Sequence, residues 1–136
     1  MTPGRAAARG AAGFCLAFAA FQVALALGAP FGRMAWGGAS SPVLPDGLRA
    51  ASTGAAVYLV LAAAVMLVRA GDLGVGLPHR PFWWINLVLA IQLALNTLGN
   101  LAAQGDVERY GMGAASLIGC ALCLVALRAR PRPDAG

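Results

Sequence analysis

The sequence predicts an all-α protein, a four-helix transmembrane bundle with N- and C-termini cytoplasmic. Three observations lead there. Four runs free of charge, at 10–29, 50–68, 82–103 and 110–127, each come close to the ~20 residues that a helix needs to cross a bilayer. All ten basic residues, every one an arginine, and all five acidic residues lie between or outside these runs. Charged residues make up only 11% of the 136 and hydrophobic ones 60%, with a mean hydropathy of +0.73. A soluble domain carries nearer ~25% charge and lines the outer face of each helix with it. Here the outer faces are apolar too, so lipid is the expected solvent. The spans and short loops fill the chain as one integral membrane domain, 1–136.

The net charge of +5 does not indicate nucleic acid. The arginines are scattered between apolar runs and form no basic face. They report orientation instead. With the N-terminus inside, Arg5, Arg9, Arg69, Arg80, Arg128, Arg130 and Arg132 are cytoplasmic, and Arg33, Arg49 and Arg109 are outside. Seven against three satisfies the positive-inside rule, and the arginine-rich tail after Leu127 suits anionic headgroups. A cleavable signal peptide is the competing reading of Arg5, Arg9 and the first apolar run. That run is longer than the usual ~7–15 residues, however, and cleavage would place the tail outside. Retention in a bacterial inner membrane is expected.

Taken in order, the first span holds Gln22 as its one strongly polar side chain. Ala20, Ala24 and Gly28 give it a flat face for close helix approach. Loop one follows, with Arg33 and Trp36 suited to the outer headgroups. Asp46 is placed to cap the second helix, with Arg49 one turn on, and Arg69 with Gly71 closes it. Pro81 suits the first turn of the third helix, and Phe82, Trp83 and Trp84 form an aromatic belt. Asp106 and Glu108 open the fourth, favourably to the helix dipole.

The third span is the unusual one. Asn86, Gln92, Asn96 and Asn100 are predicted on one side of it, since the last three are spaced by four and drift only about 80°. Amides are costly in hydrocarbon unless bonded, so this stripe should face the interior. Interhelical bonding, worth ~0.6–2 kcal/mol per bond, explains it without a ligand. Counted at ~1.5 Å per residue, Gln22, Tyr58, Gln92 and Ser116 share a mid-membrane level, with Asn96 and Asn100 progressively further out. That makes Gln22, Tyr58, Gln92, Asn96 and Asn100 a candidate ligand-binding set.

At the outer end, Arg33, Asp46, Arg49, Asp106, Glu108 and Arg109 form an expected charge cluster. They either pair to staple loop one across the helix ends or make a polar mouth. Cys120 and Cys123 form a C-x-x-C on the fourth span. Redox chemistry needs a thiolate activated by nearby positive charge or a helix N-terminus, and neither is present. Gly111, Ala115, Gly119 and Cys123 also form a small-residue ridge that explains the pair by packing. Four-helix membrane oxidoreductases of the vitamin K epoxide reductase type carry such a pair on their fourth helix. This chain has only Cys15 besides and lacks an outer-loop pair. His79 is the single histidine and assembles no donors around it, so no metal or cofactor is expected.

The stretch ALALGAPFGRMAWGG at 24–38, followed by VLPDGLRAAS at 43–52, resembles a group of small bacterial four-span integral membrane proteins. They share a GAPWG…AWGG…LP…LR signature and a Glu-Arg pair opening the last helix, here Glu108 and Arg109. Phe31 departs from the signature's tryptophan. The resemblance implies four retained spans and an important loop one, and it supplies no activity. Three functional classes follow from the residues. The first is a non-enzymatic membrane module or accessory subunit, docking a membrane partner or a second copy through the small faces of helices one and four. The second is a lipid- or small-ligand-binding bundle, and the third a thiol oxidoreductase.

Overall fold

The computed structural model describes residues 1–38, 41–74 and 78–129, and these are all-helical. The helices are α1 (Pro3–Ala26), α2 (Asp46–Ala70), α3 (His79–Leu101) and α4 (Gly113–Ala126), the last entered through a π-helical turn at Val107–Met112. With that turn included, all four are long and apolar enough to cross a membrane. Arg130 and Arg132 of the expected anchor lie outside the described residues.

The helices, α4 counted from its π turn, begin before the charge-free runs, and α2 also ends beyond its own. α1 starts at Pro3 and α2 at Asp46, because a helix does not stop where hydrocarbon does, and arginine stems can reach toward headgroups. Asp46 is the first helical residue rather than the cap. Pro45 holds the cap position, and no side chain caps there. Asp106 makes no capping bond either. Gly71 does end α2 as expected. At φ +80° it lets the Asp72 and Gly71 amides bond back to Leu67 and Val68 at 3.0 Å each, closing the helix with a left-handed residue.

The helices form a ring in sequence order. α1 packs most extensively, against α2 and α4; α3 packs on α4, and the α2–α3 seam is the least developed of the four. Four helices running alternately put the start of α1 and the end of α4 at one end and loop one at the other. Toward the termini the core is mostly small residues, Ala8, Ala11, Ala12 and Cys15 of α1, Ala62 and Ala63 of α2, Ala90 of α3, and Cys120, Cys123 and Ala126 of α4, with Met66, Leu89 and Leu93 as its larger members. Gly4 lies so close to α4 that a Cβ would sit 2.5 Å from the Ala129 nitrogen. Small side chains let helices approach where lipid offers no hydrophobic drive for association. The close-packed face of α1 is therefore its first half. Ala20, from the expected face, is exposed.

Arginines satisfy the helix ends. Arg69, almost wholly buried, donates from Nη2 to the carbonyls of Ala126, Leu127 and Ala129 at 2.9, 3.0 and 3.1 Å. Arg49 donates to Ala26 at the end of α1, at 2.9 Å. Arg109 donates to Ala103, just past α3, at 3.1 and 2.8 Å. Cations there neutralise the negative end of the helix dipole and occupy carbonyls that the helix leaves unbonded. Arg9 grips Asp72 with two bonds, at 2.6 and 2.8 Å, tying α1 to the turn after α2.

Candidate functional site

Toward loop one the helices part around a cavity of about 500 Å³. Its polar lining includes Gln22 from α1, Tyr58 from α2, Gln92, Asn96 and Asn100 from α3, and Ser116 from α4. The five predicted ligand-set residues thus reach one space, together with Ser116 from the same expected level. Phe14, Phe18, Leu59 and Leu93 are among its apolar walls. Phe14 is held by α4, where a Cβ on Gly119 would come within 2.7 Å of its ring.

The polar groups are partly bonded to one another. Tyr58 donates its hydroxyl to Gln92 Oε1 at 2.7 Å, crossing the thin α2–α3 seam. Asn100 donates to Ser116 Oγ at 2.9 Å, which in turn donates to the Met112 carbonyl at 2.8 Å. Gln22 Oε1 is buried without a partner. Asn86 departs from the stripe. It is fully buried, both its amide atoms lack a partner, and it does not line the cavity. Its angular neighbours are the buried Leu89, Ala90, Leu93 and Thr97, about 100° round the helix from the Gln92–Asn96 side.

Loop one is the roof. After a 3-10 turn at Gly32–Met34, Trp36 adopts a left-handed conformation at φ +57°, which is costly for a bulky residue and persists only where its surroundings fix it. Its indole N–H donates to the fully buried Ser52 hydroxyl at 3.0 Å. The Gly37 amide donates to Glu108 Oε1 at 2.9 Å, and Gly38, at φ +70°, has no room for a Cβ beside Glu108 Oε2. Leu25, Ala35 and Leu44 form a small second core beneath the loop. Met34, Trp36 and Gly37 line the cavity from above.

The outer charges do not pair as a cluster. Among the described residues the only ion pair within that group is Asp46–Arg49 at 3.5 Å, with the Asp46 side chain fully exposed. Arg33 and Asp106 are exposed. The loop is held through a backbone partner instead, Glu108 to Gly37, while Arg49 and Arg109 bond the carbonyls of Ala26 and Ala103 at helix ends. A backbone amide or carbonyl is fixed in place, whereas two long exposed side chains lose conformational freedom for ~0–1 kcal/mol.

Cys120 and Cys123 are free, buried and outside the cavity lining. The Cys120 thiol lies 3.4 Å from the Ala90 carbonyl. On the predicted α4 ridge, Gly119 and Cys123 are buried between helices while Gly111 is exposed.

The inward turn of Glu108 was not legible from the helix period, because the π turn offsets the phase of side chains that follow a straight helix. Trp36 and Ser52 were missed as a pair. No helical period could have found them, since loop one is irregular and the partners lie 16 residues apart. No family model matches the chain, and neither curated proteins nor solved structures gave a match. By helix length and composition it is a multi-pass membrane protein.

Proposed function

We propose that this chain is a four-span protein of the bacterial inner membrane, termini in the cytosol, that binds a lipid or small amphiphile between its helices. The observation that carries the reading is the roofed cavity, into which all four helices send polar side chains at a depth where amides are expensive. Tyr58 bonds Gln92 and Asn100 bonds Ser116, yet a space of ligand size remains between the helices and Gln22 Oε1 stays unpartnered within its lining. The thin α2–α3 seam gives that space a lipid-facing side, supported by the exposure of Tyr58, Gln92 and Asn96. Docking of a partner is the weaker reading, because the α4 ridge is already used inside the bundle at Gly119 and Cys123. The orientation rests on the arginine distribution and the positive-inside rule.

The test is lipid analysis of the purified protein. Wild type is expected to retain a bound amphiphile through detergent exchange, and Asn96→Leu to lose it while still folded. Equal retention by the variant, or none by wild type, refutes the binding reading. Reporter fusions at residues 106 and 74 check the orientation, with 106 expected outside.

A further inference from the structure

The cavity's electrostatics are one-sided. Among the described residues Glu108 is its only formally charged lining residue, and no arginine or histidine lines it. Glu108 is 5% exposed. One of its oxygens takes the Gly37 amide proton, and the other, Oε2, is buried with no partner. Among the described residues no cation forms an ion pair with it, and its neighbour Arg109 is turned to Ala103. A buried carboxylate with a single neutral bond is costly unless a charge partner arrives. The other unpartnered buried atom in the lining, Gln22 Oε1, is also an acceptor. So the cavity's unmet demand is for N–H donors and positive charge. The rings of Trp36, Phe18 and Tyr58 line the same space, and aromatic faces attract ammonium groups.

Building on the binding reading above, we infer that the cavity selects amphiphiles with a protonated amine head, and that Glu108 is the counter-charge. Glu108 stands where α4 begins, at the loop-one end. An amphiphile lying along the α2–α3 seam would have its head at that level and its chain among Phe14, Phe18 and Leu59. The amine has two possible sources, a free hydrophobic amine or the ethanolamine head of a phospholipid.

The experiment uses the full chain in maltoside detergent with Trp83→Phe and Trp84→Phe, so that Trp36 is the remaining tryptophan. Its fluorescence is followed while dodecylamine (as dodecylammonium), dodecanol or dodecyl sulfate is added. Dodecylammonium is expected to half-saturate at a concentration roughly tenfold below dodecanol, the value of one charge-assisted bond, with dodecyl sulfate weakest. Glu108→Gln keeps an oxygen for the Gly37 amide and should erase the preference. Gln22→Leu leaves the roof intact and should weaken dodecylammonium by about threefold or more. Equal binding of amine and alcohol by wild type, or a preference that survives both variants, overturns the inference while the cavity stands. Failure of all three probes to bind overturns the cavity reading itself. Competition by short-chain phosphatidylethanolamine assigns the lipid source, and its failure assigns a free amine. Equal competition by phosphatidylglycerol overturns the inference.

Discussion

Trp36 reaches across the loop-one end of the bundle to donate its indole N–H to Ser52 at 3.0 Å, and Ser52 is completely buried. The bond holds a strained loop residue over the cavity and links the middle of loop one to the second turn of α2. Strain in Trp36 and burial of Ser52 describe the same constraint from two sides.

Ser52→Ala removes the acceptor and leaves the indole donor unmet. The variant is expected to unfold more readily by about 1 kcal/mol, followed by denaturing-detergent titration. Amide exchange at Gly37 and Gly38 should quicken, because the roof loses its tie to α2. Unchanged exchange would show that Glu108 holds the loop alone.

Arg69→Met deletes the cation that gathers three carbonyls beyond and within the last turn of α4. A loss of about 2–3 kcal/mol is expected, the scale of charge-assisted bonds whose buried partners are left bare. The same titration reads it, and an effect within error would mean that water replaces the guanidinium at the helix end.

Asn86→Leu should act in the opposite direction. Both amide atoms of Asn86 are buried without partners, so an apolar side chain of similar volume is expected to stabilise by about 1–3 kcal/mol. A raised melting temperature in detergent is the readout. Destabilisation would reveal a partner for that amide in the membrane.

Tyr58→Phe removes the single described side-chain hydrogen bond between α2 and α3. Stability should fall by only ~0.6 kcal/mol, a typical intramembrane bond, but exchange of a bound amphiphile should accelerate. Stopped-flow release, unchanged in the variant, would show that ligands pass elsewhere.

Gly99→Leu projects into the cavity from a helix position where a Cβ meets no atom within 4 Å. Replacing a mid-helix glycine favours the helix by up to about 1 kcal/mol, so this variant should fold as well as wild type and bind less amphiphile. Retained binding would place the ligand away from Gly99.

The bundle and its polar level were legible in the sequence because both follow from simple periods. Charge-free runs of fixed length define spans, and a shared depth collects Gln22, Tyr58, Gln92 and Ser116. The direction of Asn86 was not, since six residues turn it about 120° away from Gln92 on a helix, onto the packed side. The arginines were read as markers of orientation, yet Arg49, Arg69 and Arg109 also end their neighbours' helices. Sequence order cannot show that use, because each bond joins residues from different segments or follows an irregular turn. Glu108 was expected among surface charges. Only the π turn and the glycines of loop one bring its carboxylate under cover.

The alanine-rich wall between α1 and its neighbours has a consequence for how this protein fails. Truncation, the usual way to probe a core, has nothing to remove at the buried positions Ala7, Ala8, Ala11 and Ala12. A conventional alanine scan would be silent there, unlike one at Phe14 or Leu25. Damage comes from added bulk instead. A single methyl at Gly4 meets backbone, which cannot step aside, so that position is bounded by size before polarity matters.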